Sequence, residues 1–269
     1  MIFIALGLLG LCMGSFAGAV VWRIHKQETS KSKKYSITRG RSMCSNCQHP
    51  LAVHDLIPLF SWIFLGGKCR YCKQPIGWQE PLMELSMLGL YVLSYVFWPY
   101  SFDGLGIAQF AIWLVLLIGL VALLVYDLRW MLLPDRLVYP LYGLAILQVV
   151  LLTIQTGSIQ PFLGAVAGIA VTSGVFYVIF QVSKGLWIGG GDVKLAVVLG
   201  VFAGSFMSGV LLIFIASILG SLVSIPMLLV NKDRGQRIPF GPFLIVATII
   251  VYLFGASIIT WYKQQFLLI

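Results

Sequence analysis

Long apolar runs separated by short polar segments make up most of the 269-residue chain. A helix rises about 1.5 Å per residue, so roughly twenty residues cross a hydrocarbon core about 30 Å thick. On that measure the runs at 2–22, 82–99, 106–126, 137–154, 162–182, 194–206, 208–230 and 242–262 predict eight spans. Each must be helical, because lipid offers no partner to an open backbone. The sixth, from Lys194 to Phe206, has thirteen residues. It predicts either a short, tilted helix or one half of a re-entrant hairpin closed at Ala203-Gly204-Ser205. The expected fold class is all-α: a polytopic transmembrane helix bundle of about eight spans, the sixth short.

Composition agrees and excludes a soluble globule, with 59% apolar residues, 10% charged and a mean hydropathy of +0.96. Eighteen Lys and Arg against nine Asp and Glu leave a formal charge of +9. On so apolar a chain that excess points to anionic membrane lipid and not to nucleic acid. Seventeen of the eighteen basic residues fall in segments 23–81, 127–136, 183–194 and 231–241, and only Lys263 falls on the opposite face. Basic loops stay in the cytosol, so both termini are expected outside. No charge precedes the apolar run of residues 1–22 and a basic stretch follows it, the pattern of a retained first span and not of a cleaved signal.

Three parts follow: a first span at 1–22, a cytosolic domain at 23–81 and a helix bundle at 82–269. The cytosolic domain has fifty-nine residues, ten basic and three acidic. A segment that small needs a staple. Cys44-Ser-Asn-Cys47 and Cys69-Arg-Tyr-Cys72, with twenty-one residues between them, have the spacing of a four-thiolate metal site. Four thiolates close a tetrahedral Zn²⁺ with no open position, so the expected role is structural. A pair of disulfides or a redox role is the competing reading, disfavoured by a reducing cytosol. His25, His49 and His54 read as solvated, and Cys12, inside the first span, as packing.

Carboxylates at membrane depth are expensive. Glu28, Asp55, Asp103 and Asp233 read as loop residues, and Glu80 as a domain-edge residue, none needing a partner. Asp127 directly follows the apolar run Ile107 to Tyr126, and Asp192 follows Gly189-Gly190-Gly191 at the start of the short sixth span. Three glycines allow close backbone approach or a conformation closed to other residues. On the eight-span topology both carboxylates lie at the cytosolic ends of their helices and can meet. Two carboxylates a few ångström apart share one proton, the charged partner activating water while the neutral one donates to a scissile carbonyl. The bland alternatives are a salt bridge for Asp127 and a helix N-cap for Asp192.

The chain resembles the type IV prepilin peptidase family nearly end to end. The resemblance rests on Gly14-Ser15-Phe16 with Arg23, on Cys44 through Asp55-Leu56-Ile57-Pro58 and Gly67-Lys68-Cys69-Arg70-Tyr71-Cys72, and on Pro81-Leu82-Met83-Glu84-Leu85. It continues through Tyr126-Asp127-Leu128, Leu133-Pro134-Asp135, Gly189-Gly190-Gly191-Asp192-Val193-Lys194-Leu195 and Ile238-Pro239-Phe240-Gly241-Pro242. It implies an aspartic endopeptidase of the bacterial inner membrane with Asp127 and Asp192 as the catalytic pair. The implied substrate is a prepilin or pseudopilin whose short basic leader is cut after Gly, and the new amino terminus would be methylated with S-adenosylmethionine. Asp135 is then a flanking residue, an N-cap or a partner for Arg129 or Arg136. Glu84 matches an acidic family position and is a candidate for orienting the cofactor or substrate amine. Where the family opening carries an asparagine, this chain has Gly18. No dinucleotide-type glycine fingerprint is present. A proton or ion relay using the same carboxylates, or a nonenzymatic assembly platform, are the alternatives from other classes.

Overall fold

The computed structural model describes residues 1–30, 41–230 and 238–266. Lys31, Lys33, Lys34, Arg39, Lys232, Arg234 and Arg237, on which part of the expected sidedness rests, lie outside them, as does the expected loop residue Asp233. The described residues are helical apart from turns and two isolated antiparallel bridges, and they group into two compact units, Met1–Val96 and Phe97–Ile269.

The first unit contains helices α1 (Ile2–Ser30), α2 (Phe60–Phe64) and α3 (Gln79–Val96). Helix α1 runs past the expected end of the first span and takes Glu28, expected in a loop, into its last turns. It packs against α3 through glycines four apart. A Cβ on Gly10 would lie 2.7 Å from the Met87 carbonyl, and one on Gly14 2.5 Å from Glu84 Cα. Small residues at this spacing let two helix backbones touch where lipid supplies no hydrophobic drive.

Between α1 and α3 the cysteine segment folds as two similar turns. The N–H of Cys44 donates to His49 O and that of Gln48 to Cys44 O, while Cys69 donates to Gln74 O and Lys73 to Cys69 O. Bridges Met43–Pro50 and Lys68–Pro75 close the turns, and Gln48 and Lys73 both take positive φ, 56° and 59°. Asp55, read from sequence as a partnerless loop residue, ties the halves together. Its side chain is only 3% exposed and accepts from Arg70 Nε at 2.7 Å, from the Tyr71 hydroxyl at 3.3 Å and from the Ala52 N–H at 3.3 Å. Burial works against its charge, but Arg70, the Ala52 amide and His54 outweigh that and hold the carboxyl below its usual range.

The second unit is a bundle of α4 (Gly104–Trp130), α5 (Asp135–Thr156), α6 (Gln160–Val182), α7 (Gly190–Ala203), α8 (Phe206–Val230) and α9 (Gly241–Phe266). Six helices, α1 together with α4, α5, α6, α8 and α9, are long and apolar enough to cross a membrane. The chain is thus a multi-pass membrane protein. The remaining expected spans correspond to α3, with 18 residues, and α7, with 14. Helix α7 stops where Gly204 takes φ 68° and closes a tight turn into α8.

Helix α4 forms the centre. Trp113, Leu116, Leu117, Leu120, Leu123 and Tyr126 are fully buried on it, and Trp113 stacks on Tyr252 of α9 with centroids 4.1 Å apart. Helix α7 is clamped to α6 by hydroxyls: Thr172 Oγ1 lies 2.9 Å from Ala196 O, and Ser173 Oγ 3.1 Å from Val193 O. At the beginning of α4, Asp103 caps the helix by accepting from the Gly106 N–H at 2.7 Å, and it also binds Ser101 and Gln155, so it too has partners.

Candidate active site and metal centre

Asp127 sits in the last turn of α4. Met131 ends that helix in the left-handed region, φ 52°, and donates its N–H to the Asp127 carbonyl at 2.8 Å, turning the chain sharply just after the aspartate. Asp192 lies in the first turn of α7, where Gly189, not Asp192, is the N-cap. Both carboxylates face Gly241, the first residue of α9. A Cβ on Gly241 would lie 2.5 Å from Asp127 Oδ2 and 3.5 Å from Asp192 Oδ1, so both side chains crowd one small volume. The backbone amide of Gly241 adjoins the Asp127 carboxylate, and that of Gly189 adjoins the Asp192 carboxylate. Asp127 is 5% exposed, and its Oδ2 is buried without a hydrogen-bond partner among the described residues.

The glycine run serves close approach and not unusual torsions: Gly189 has φ −74°, and none of Gly189, Gly190 and Gly191 has positive φ. A Cβ on Gly191 would lie 3.1 Å from Leu133 Cβ, so the glycines let the Leu133-Pro134-Asp135 segment pack against the start of α7.

Asp135 corrects an expectation. It is the first residue of α5, with Pro134 as N-cap, and its partner is Lys194, two residues past Asp192. Lys194 Nζ reaches both Asp135 oxygens, at 2.8 and 3.0 Å, and the Tyr139 hydroxyl donates to Asp135 at 3.1 Å. Tyr142 donates to the Lys194 carbonyl at 2.8 Å. The segment after one aspartate is thereby tied to the helix turn carrying the other. Neither this strap nor Gly241 was singled out from sequence. In the sequence Gly241 is marked only by its place between Pro239 and Pro242 in the segment Ile238–Pro242.

In the first unit the sulfurs of Cys44, Cys47, Cys69 and Cys72 lie within 4.8 Å of one another. Cys44 and Cys69 are buried, Cys72 is half-buried and Cys47 exposed, and none forms a disulfide. The Cys44–Cys72 sulfur separation of 3.8 Å is far beyond a covalent bond and suits thiolates around one ion. This group could hold a metal. Glu84 is buried in α3 near the Ser15 hydroxyl and accepts the Leu59 N–H at 2.7 Å. His49 stacks on Tyr71, and His54 stays exposed beside Asp55.

Fold and site together define a multi-pass helical membrane protein that carries an adjoining pair of carboxylates and a separate four-thiol cluster. The chain belongs to the type IV leader peptidase family. Residues 8–98 match the Bacterial Peptidase A24 N-terminal domain and residues 114–225 the Type IV leader peptidase family. It is 34% identical to a prepilin leader peptidase/N-methyltransferase of Pseudomonas aeruginosa, over 96% of this chain and 92% of that protein. A protein of the same name from Aeromonas hydrophila is 31% identical over 97% of this chain and 93% of its own length. Another from Dichelobacter nodosus is 31% identical over 94% and 91%. No solved structure matches the chain at a significant level.

Proposed function

We propose that this protein cleaves the basic leader of prepilin-like substrates at the cytosolic face of the bacterial inner membrane and methylates the amino terminus it creates. The observation that carries the peptidase reading is the convergence of Asp127 and Asp192 on Gly241. Carboxylates this close share a proton. The ionised one takes a proton from water, the water oxygen attacks the carbonyl carbon of the leader's final glycine, and the protonated one donates to that carbonyl's oxygen. Collapse of the tetrahedral intermediate returns a proton to the departing amine. The apolar helix of the substrate partitions into lipid, which confines the scissile bond to the interface where the carboxylates are expected.

The four-thiol group fits Zn²⁺ in a structural role, because four sulfurs leave no position for substrate. S-adenosylmethionine, when bound, supplies an electrophilic methyl group to the freed amine. Both termini are read as lying outside and the cysteine segment as cytosolic, since the basic segments would face anionic lipid on that side. A relay or an assembly platform has no observation of its own to favour it.

The test is to incubate the purified protein in lipid with a prepilin and labelled S-adenosylmethionine and weigh the product. Leader loss plus one methyl group is expected. An unprocessed prepilin with folded enzyme present would overturn the reading.

A further inference from the structure

Helix α2 has two unlike sides. Trp62 donates its ring N–H to the Ile76 carbonyl at 3.3 Å and packs its indole on Trp78, which pins one side to the second cysteine turn. On the other side Phe60, Ile63 and Phe64, at i, i+3 and i+4 and therefore on one face, are 54, 63 and 84% exposed. Ile57, just ahead of the helix, is exposed as well. An apolar patch of this kind on so small a segment marks a contact with protein or with membrane.

The height of the patch along α1 decides between them. The Leu59 N–H donates to Glu84 Oε2 at 2.7 Å, and Leu59 takes φ 59°, a torsion that leucine rarely adopts and that its surroundings must hold. Glu84 lies against α1 at Gly14, whose Cβ position is 2.5 Å from Glu84 Cα. The apolar run of α1 continues from Gly14 to Trp22, which is about 12 Å of helix. A glutamate side chain and one hydrogen bond span less than that. Leu59 and the start of α2 therefore stop short of the level at which the apolar run ends, beside hydrocarbon and not beyond the headgroups.

The charges fit the same boundary. Asp55 is the single acidic residue between positions 51 and 78 and is paired with Arg70, while Lys68 and Lys73 are exposed. Exposed lysines beside exposed apolar side chains suit anionic headgroups above acyl chains. Trp78, exposed one residue before α3 begins, is an aromatic of the kind that collects at that interface.

We propose that Ile57–Phe64 is a membrane wedge, with Phe60, Ile63 and Phe64 inserted among the acyl chains of the leaflet at the end of α1 that joins the cysteine segment. The occupant of the patch is phospholipid. The cysteine segment is then seated in the bilayer surface and not suspended in water, and lipid supplies part of the apolar interior that a segment of this size lacks.

The test uses the full protein in vesicles of phosphatidylethanolamine and phosphatidylglycerol. The photoreactive residue p-benzoylphenylalanine replaces Phe64 or, as a reference facing water, Lys73, and the products formed in light are resolved by mass. Position 64 should give adducts of one phospholipid per chain roughly tenfold above position 73. Adding Phe60→Ser and Ile63→Ser should lower the yield at position 64 by about fivefold with helix content unchanged. Crosslinks from position 64 to a second copy or to Phe97–Ile269 in place of lipid would assign the patch to protein and overturn the proposal. Equal lipid yields at the two positions, or none at either, would leave the patch in solvent and overturn it as well.

Discussion

In Met1–Val96 the cysteine segment has little apolar interior, and four sulfurs, two similar turns and the buried Asp55 hold its backbone. In Phe97–Ile269 Asp127 and Asp192 are held by helix ends packed around a buried apolar core that includes Trp113 and Tyr126. A bound ion can organise a segment whose chemistry is written in a short motif. A bundle places its side chains only after several distant helices have agreed on a common packing, so small errors in backbone separation are felt directly at the carboxylates. The contrast predicts that substitutions in the bundle act on chemistry with the fold intact, whereas those at the sulfurs act on the fold.

The sharpest test is at the carboxylates. Asp127→Asn or Asp192→Asn should lower leader cleavage by about 10²–10⁴-fold with helix content unchanged by circular dichroism. Retained cleavage in either variant would remove the chemical half of the contrast. Gly241→Ala should lower cleavage by about a hundredfold, because displacement of about 1 Å at a reacting group has that effect. Its Cβ would meet Asp127 Oδ2 at 2.5 Å. Normal turnover there would show that the crowding is inconsequential.

On the other side of the comparison, Cys69→Ser or chelation should make residues 42–78 about tenfold more susceptible to limited proteolysis. The bundle should resist unchanged. Lys194→Gln should reduce cleavage by no more than about fivefold, since exposed ion pairs are weak, and exchanging the charges of Asp135 and Lys194 should restore part of the loss.

The smallest effect concerns pH. The Gly106 amide, Ser101 and Gln155 hold Asp103 below its usual range. Its stabilising contribution is therefore complete above about pH 4 and is lost as pH falls through the lower folded value. Hydrogen-exchange protection of the Gly106 amide should fall with acid in the wild type and lose that dependence in Asp103→Asn.

Much of this was legible from sequence. Apolar runs located the long helices, C-x2-C spacing located the sulfurs, and motif context singled out Asp127 and Asp192. What was not legible depended on separation along the chain. The partner of Asp135 is 59 positions away, that of Asp55 is 15 away, and neither lies within reach of a local pattern. Gly241 matters only because α9 begins beside the ends of two other helices. The glycines at positions 10, 14 and 18 were readable as a helix-contact motif, but the hydrophobicity of α1 masked them.

Helix α7 has one further consequence. Its 14 residues extend about 21 Å at the usual rise, well short of the roughly 30 Å hydrocarbon thickness of an average bilayer. Gly204 fixes that length. From Leu195 to Ala203 no residue of α7 is exposed, so neighbouring helices and not acyl chains surround the short helix, and turnover in reconstituted vesicles should depend only weakly on lipid tail length.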